Sequence, residues 1–173
     1  MHITQTYLGT YGDSGLFVYY LYQDYALDQK SLTERVQHAL DDLGADYMKE
    51  VDLFRPNERF AGDIAAEVRE LGPVWSYCQN ELPGFLVSYK PLVEIDPADD
   101  TVLFFSIKDR DEEDALQVVK KIRAIVVDQI RRPHPDGKVV ERGPGFVARV
   151  FESLEIKPGF FGVSIDLKRL VRR

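Results

Sequence analysis

The clearest pattern along the chain is a pair of short segments that are almost entirely apolar. Gly15–Gln23 is rich in β-branched and aromatic residues, which are the residues that strands favour. It is apolar on both faces for most of its length, so we predict a strand inside a sheet. Thr101–Lys108 has the same character and predicts a second apolar strand.

After the first of these segments, apolar residues recur at helical spacing. Ser31 and Glu34 form a capping box, which is typical of a helix start. Gly44 stands where a left-handed C-cap is expected. Between these signals, one helical face carries four apolar residues: Leu32, Val36, Leu40 and Leu43.

Two further helices are predicted. The second begins near Asn57 and stops at Gly72-Pro73, and residues 74–84 fit either another helical turn or a loop. The third runs from about Glu112 to Arg132. It follows the acidic run Asp109–Asp114, and negative charge favours the positive end of the helix dipole.

Weaker strand patterns complete the chain. Polar and apolar residues partly alternate over Tyr47–Phe54. Phe85–Ile95 contains Pro91, which indicates an edge strand or a bulge. Phe146–Ile156 and Phe160–Leu167 are joined by a Lys-Pro-Gly turn and predict a hairpin.

The predicted element order is β-α-β-α-β-β-α-β-β, which indicates an α+β fold. We expect a ferredoxin-like or split β-α-β sandwich, with about three helices on one face of a largely antiparallel sheet. A small Rossmann-like α/β fold with a parallel sheet is the alternative. No linker-like stretch divides the sequence, so one globular domain is expected over residues 1–173.

Aromatic residues are concentrated near the start of the chain. Their position in and around the first strand predicts core and rim packing, with a stacking platform for bases as the alternative. The seven aromatic residues are Tyr7, Tyr11, Phe17, Tyr19, Tyr20, Tyr22 and Tyr25.

Composition narrows the class of protein. The 173 residues carry a formal net charge of −7, which makes a dedicated nucleic-acid binder unlikely on electrostatic grounds. Cys78 is the one cysteine, so no internal disulfide and no oxidising compartment are implied. No signal peptide and no membrane-spanning apolar run are apparent, and a cytoplasmic location is expected.

The charge is unevenly distributed. Residues 1–99 carry 7 Lys or Arg and 17 Asp or Glu, a net of −10, whereas the chain from Ala115 onward carries 13 against 6, a net of +7. Oppositely charged faces favour a protein partner or a homo-oligomer. The candidate binding residues are basic: Lys120, Lys121, Arg123, Lys168, Arg169, Arg172 and Arg173.

One string suggests catalysis. Pro135-Asp136 followed by Glu155-Ile156-Lys157 matches the PD…(D/E)-x-K pattern of a nuclease superfamily, in which two carboxylates would hold Mg²⁺ and the lysine would activate water. The context departs from that pattern, because Asp136 stands in a Pro-Asp-Gly turn and Lys157 at a predicted hairpin tip. The triad Asp136, Glu155 and Lys157 is therefore the alternative hypothesis.

Other chemical motifs are weaker. Gly12–Gly15 resembles the surroundings of a hydrolase serine, but no D-x-x-H string supplies a base, and a tight turn accounts for these residues. The sequence contains no phosphate-binding glycine motif and no zinc ligand set, so no metal and no cofactor are predicted. The main hypothesis is a non-enzymatic interaction or assembly domain that uses charged faces or a sheet edge, and a small-ligand sensor is a further alternative.

Overall fold

The architecture comes from a computed structural model that describes residues 2–4, 6–8, 15–21, 30–47, 51–100, 102–108, 111–131 and 163–164. Within these residues the chain forms six strands: β1 (His2–Thr4), β2 (Phe17–Leu21), β3 (Asp52–Pro56), β4 (Gly84–Ser88), β5 (Val102–Ser106) and β6 (Val163–Ser164). Four α-helices connect them: α1 (Lys30–Asp46), α2 (Ala61–Glu70), α3 (Gly72–Cys78) and α4 (Glu112–Arg131).

The strands form one mixed sheet in the order β1-β3-β2-β4-β5-β6. β1, β3 and β2 are parallel to one another, while β4, β5 and β6 each run antiparallel to the preceding strand in that order. The α+β class is therefore as predicted. The ferredoxin-like or split β-α-β arrangement is not confirmed, because β2 and β3 are direct neighbours, whereas a split motif places a strand between them. The Rossmann-like alternative requires a parallel sheet, and this sheet is mixed.

Helices cover both faces of the sheet, so the prediction of helices on one face was wrong. We call α1 and α4 the long-helix layer, since they have 17 and 20 residues. We call α2 and α3 the short-helix layer, since they have 10 and 7 residues. All residues of β2, β4 and β5 are buried, because each sheet face packs against its own layer.

Side chains of β2 alternate between the two layers, as the pleat of a strand requires. Val18 and Tyr20 pack under the long-helix layer, whereas Phe17, Tyr19 and Leu21 pack under the short-helix layer. The predicted central position of this strand is confirmed, since it pairs with β3 on one side and β4 on the other.

The aromatic residues near the start of the chain pack as predicted where the structure describes them. Tyr7, Phe17, Tyr19 and Tyr20 are all buried. The Tyr19 ring stacks on Phe54 with ring centroids 5.0 Å apart. Tyr11, Tyr22 and Tyr25 lie outside the described residues.

One buried hydroxyl ties a connection to the sheet. The backbone N–H of Leu92 donates to the Tyr19 hydroxyl at 3.0 Å. Leu92 and Ile95 are buried in the core beneath the short-helix layer. The segment between β4 and β5 is therefore folded onto the sheet instead of projecting from it.

The end of α1 differs from the prediction. The helix continues past Gly44 to Asp46, and the N–H of Tyr47 still donates to the carbonyl of Leu43 at 3.2 Å. This i→i−4 bond spans Gly44, so the glycine is accommodated inside the last helical turn instead of capping it. The predicted strand Tyr47–Phe54 accordingly starts later, at Asp52.

Pro91 was wrongly placed inside a strand. β4 ends at Ser88, so the proline lies after the strand and removes none of its hydrogen bonds. The prediction of an edge strand fails with it, because β4 pairs with both β2 and β5. The observed strand covers only the first part of the predicted segment Phe85–Ile95.

Gly72-Pro73 both ends one helix and begins the next. α2 ends at Glu70, just before the predicted stop, but begins at Ala61 and not near Asn57. α3 starts at Gly72 with the proline in its first turn. A proline is tolerated there because the first N–H groups of a helix have no intrahelical partner. The predicted further helical turn after Pro73 is confirmed.

The helix α4 matches its prediction closely. α4 spans Glu112–Arg131, and the Asp111 carboxylate accepts the N–H of Asp114 at 2.9 Å, which is the geometry of an N-cap. Of the predicted hairpin over Phe146–Ile156 and Phe160–Leu167, only Val163–Ser164 lies in the described part of the chain, as β6.

No helix of the described segments is long and apolar enough to cross a membrane.

Candidate functional site

The helices that follow the neighbouring parallel strands β2 and β3 lie on opposite faces of the sheet. The chain passes from β2 to its neighbour β3 through α1 on one face, then returns through α2 and α3 on the other face to β4, which pairs with the opposite side of β2. In open sheets, ligands bind outside the carboxyl ends of parallel strands at such a switch point. The carboxyl ends of β2 and β3, at Leu21 and Pro56, meet at this edge.

A groove lies at this edge, between the short-helix layer and the strand ends. It contains about 280 Å³ of empty space, including space that is open to solvent. Most of that space is open solvent, since the enclosed part is about 10 Å³, room for about one water molecule. The groove is therefore a shallow apolar depression, far smaller than the pockets of about 300–1,000 Å³ that hold small molecules. Its walls are mostly apolar: Tyr7, Tyr20, Leu21, Pro56, Ile64, Ala65, Val68, Trp75 and Leu82.

Hydrogen bonds fix one wall of the groove. The Tyr7 hydroxyl donates to the carbonyl of Tyr20 at 2.6 Å. The backbone N–H of Tyr7 donates to Oε2 of Glu67 at 2.9 Å. A carboxylate of α2 is thereby held beside an apolar surface, and the Tyr7 ring is fixed at both ends.

The helix α2 carries several charged side chains. Asp63 and Glu70 are exposed and flank the wall residues Ile64 and Val68 in sequence. The Arg69 guanidinium lies 5.4 Å from the ring centroid of Trp75, a cation–π distance. Contacts therefore place one carboxylate, Glu67, and one guanidinium, Arg69, beside the groove, since helical spacing puts Asp63 and Glu70 on the opposite face of α2.

A second polar feature lies between α1 and β3. Nε2 of Gln37, Oδ1 of Asp41 and Nε of Arg55 are buried without a hydrogen-bond partner. Arg55 Nε and Asp41 Oδ1 are 3.5 Å apart, close enough for charge attraction but not for a well-formed hydrogen bond. Buried polar atoms are normally hydrogen-bonded, so this cluster is an exception that calls for an explanation.

Cys78 is buried beneath the short-helix layer. Burial raises the pKa of its thiol to about 12, so the thiol is neutral near pH 7 and is a poor nucleophile. Among the residues that the structure describes, no group of three or more His, Cys, Asp or Glu residues is placed to hold a metal ion.

The predicted basic residues of α4 do not form one free patch. Arg123 pairs with Asp46 at the end of α1 and stacks over the Tyr47 ring, 5.6 Å from its centroid. Lys120 is exposed and Lys121 is half-buried. Arg123 thus joins the two helices of the long-helix layer.

The remaining predicted site residues lie outside the described residues. These are the candidate nuclease triad Asp136, Glu155 and Lys157, and the basic residues Lys168, Arg169, Arg172 and Arg173. Their proposed roles stay predictions.

Sequence patterns did not reveal the groove. Its most distinctive residue, Trp75, falls in residues 74–84, which fitted either a helix or a loop. The groove also depends on how α2 and α3 cross the strand ends, which no local period encodes. Two signals were present, namely the single tryptophan of the chain and the helix-starting Gly72-Pro73.

Comparison with known proteins adds no relative: no family model matches the chain, and no curated protein or solved structure matches it significantly.

Proposed function

We propose that this chain is a protein-interaction domain that assembles with a second copy of itself through oppositely charged surfaces. The observation that supports this proposal most is the negative charge on the short-helix side of the molecule. Residues 57–100, which include this layer, hold nine Asp or Glu and three Lys or Arg, a net of −6. The chain from Ala115 onward has a net of +7.

The structure supports the acidic half of this proposal. Asp63, Glu70, Glu94 and Asp99 are all exposed, and the one lysine of the region, Lys90, is paired with Asp100 at 2.6 Å. The acidic surface is therefore only partly neutralised within the molecule. An acidic face on one copy and a basic segment on another give a head-to-tail contact.

Light scattering with size-exclusion chromatography tests the proposal. The mean mass should rise with protein concentration at low salt and fall towards that of the monomer at high salt, since salt screens exposed charges. A strict monomer at low salt and high concentration would refute self-association.

A matched pair of variants localises the contact. Asp63→Asn with Glu70→Gln removes two charges from the short-helix layer, and Glu113→Gln with Asp114→Asn removes two exposed charges from the start of α4. Both pairs change the net charge by the same amount. The proposal expects weaker association only in the first pair, and equal effects would attribute association to net charge alone.

A second candidate function is small-ligand sensing at Gln37, Asp41 and Arg55. The specific observation is the three buried atoms without hydrogen bonds. Arg55 and Asp41 attract each other at 3.5 Å, so the donor left for a ligand is Nε2 of Gln37, which suits an acceptor such as the carbonyl oxygen of a carboxamide. The NMR signal of the Gln37 side-chain amide should shift on titration with acetamide and not with isobutane-like apolar solutes.

A further inference from the structure

We infer that Tyr7 is a removable plug, which fills a crevice where the protein can instead bind a small phenolic ligand. The inference does not depend on the proposed self-assembly. Open sheets bind ligands outside the carboxyl ends of parallel strands at a switch point, and the parallel strands β2 and β3 end there at Leu21 and Pro56. The groove at this edge is shallow because the side chain of Tyr7, one of its walls, already occupies the crevice.

The Tyr7 side chain is held by contacts that a ligand can reproduce. Its ring lies edge-on to the rings of Tyr19 and Phe54, with centroids 5.4 Å and 6.5 Å apart, and Tyr7 is only 2% exposed. Its hydroxyl donates to the Tyr20 carbonyl at 2.6 Å. The space of this side chain therefore has aromatic walls and a hydrogen-bond acceptor, which is the environment that suits a phenol.

Another contact holds the plug from outside the crevice. The backbone N–H of Tyr7 donates to Oε2 of Glu67 at 2.9 Å, and Glu67 is half-buried on α2. A phenolic ligand has no backbone N–H, so this bond is specific to the state in which Tyr7 fills the crevice. Glu67 is therefore a latch, and weakening it favours the open state without altering the walls that the ligand contacts.

The strand β1 reports whether the plug has left. It lies at the edge of the sheet and pairs with β3 over three residues. Short peripheral elements open at a lower free energy than central strands. Two residues separate Thr4, at the end of β1, from Tyr7, so we expect withdrawal of the ring to loosen β1 and to leave the central strand β4 intact.

Amide hydrogen exchange with para-cresol as the probe tests the inference. This molecule reproduces the tyrosine side chain without its backbone, and toluene is the matched control that lacks the hydroxyl. Para-cresol should accelerate exchange of the β1 amides while the β4 amides stay protected, because the probe binds only when the plug is out. Toluene should act more weakly, since it leaves the Tyr20 carbonyl without this donor.

Variants of α2 identify the latch. Glu67→Ala removes the acceptor of the Tyr7 N–H and should tighten binding of para-cresol about tenfold, because the open state becomes more populated. Glu67→Gln keeps an acceptor and should tighten binding less. Glu70→Ala alters an exposed residue of the same helix with the same change of charge, and should leave the affinity unchanged.

Three results would overturn the inference. The first is exchange of the β1 amides that does not respond to para-cresol in the unaltered chain or in Glu67→Ala. The second is equal affinity in Glu67→Ala and Glu70→Ala. The third is equal acceleration in β1 and β4, which would mean that the probe unfolds the sheet as a whole. Self-association is measured separately by light scattering, so it stands or falls independently of these results.

Discussion

The two helical layers cover the same sheet in different ways. The long-helix layer packs aliphatic residues such as Val36, Leu40 and Ile122 against its face. Buried rings are more numerous beneath the short-helix layer, which covers Tyr7, Phe17, Tyr19, Phe54 and Phe104, than beneath the long-helix layer, which covers Tyr20, Phe85 and Phe105. Large rings fill space that two short helices leave uncovered, and the cover remains incomplete at the strand ends, where the groove lies.

This difference has a physical consequence for binding. Long amphipathic helices bury a continuous stripe and leave little apolar surface exposed. The short helices leave two rings of α3, Trp75 and Tyr77, half-buried, while the rings of the sheet beneath them are buried. A surface of this kind is where a soluble domain commonly presents a contact site.

The largest effect is expected from Gly84→Ala, which tests how tightly the rings pack. A Cβ atom at Gly84 would lie 2.4 Å from Cζ of Phe104 and 2.7 Å from the carbonyl oxygen of Phe105. The backbone oxygen has little freedom to move, so we expect a loss of about 3 kcal/mol or a failure to fold. Gly72→Ala is the control, since nothing lies within 4 Å of its Cβ position. Urea unfolding of both variants measures the difference, and a mild loss in Gly84→Ala would mean that the ring shifts freely.

Substituting one leucine in each layer by alanine compares how tightly the two layers are packed. Leu40 is completely buried under the long-helix layer, whereas Leu71 is only partly buried in the short-helix layer. We expect Leu40→Ala to cost about 3 kcal/mol and Leu71→Ala about 1 kcal/mol, because fewer contacts are lost and no closed cavity forms. Equal losses in chemical denaturation would show that the two layers are equally well packed.

The hydroxyl of Tyr7 is the next test. Tyr7→Phe leaves the buried carbonyl of Tyr20 without this donor, and we expect a loss of about 1–2 kcal/mol. Tyr77→Phe is a comparison in the same layer, since its hydroxyl bond to the Val102 carbonyl is longer, at 3.4 Å, and should matter less. A larger loss from Tyr77→Phe would contradict this ranking.

Thiol labelling measures how often each layer opens. Cys78 is buried with a pKa of about 12, so labelling at pH 8 requires local opening. The control places a cysteine at the fully buried Ala115 of the long-helix layer, as Ala115→Cys with Cys78→Ala. If the short-helix layer opens at a free energy about 1.4 kcal/mol lower, Cys78 should label about tenfold faster. Equal labelling rates would mean that the two layers open as one unit.

Sequence patterns predicted the elements whose signals are local and repeated. α1 and α4 have long apolar stripes, and β2 and β5 have continuous apolar runs, so all four lie where they were predicted. The bounds of α1 differ, since it begins at Lys30, before the predicted cap Ser31, and ends at Asp46, beyond Gly44. The predictions based on Gly44 and Pro91 were wrong because each residue type occurs in more than one kind of local structure. A glycine is tolerated in a last helical turn, and a proline one turn beyond a strand leaves its pairing intact.

The candidate site was less predictable than the elements. The acidic character of the first hundred residues was evident, but the crossing of α2 and α3 over the ends of β2 and β3 is a tertiary property. The buried cluster at Gln37, Asp41 and Arg55 brings together residues from a helix and a strand whose separate patterns are ordinary. Such contacts follow from the order of the strands in the sheet, which no local pattern of the sequence specifies.

The bond between the Leu92 N–H and the Tyr19 hydroxyl has a consequence for how this chain tolerates insertions. Long connections between antiparallel strands usually accept extra residues, because they lie in solvent. Here the first part of the connection is held by a side chain from the middle of the sheet, and Ile95 is buried. The exposed turn that follows is closed as well, since the N–H groups of Asp99 and Asp100 donate to the carbonyl of Asp96. A reporter peptide or an affinity tag inserted at residues 98–99 should therefore cost stability.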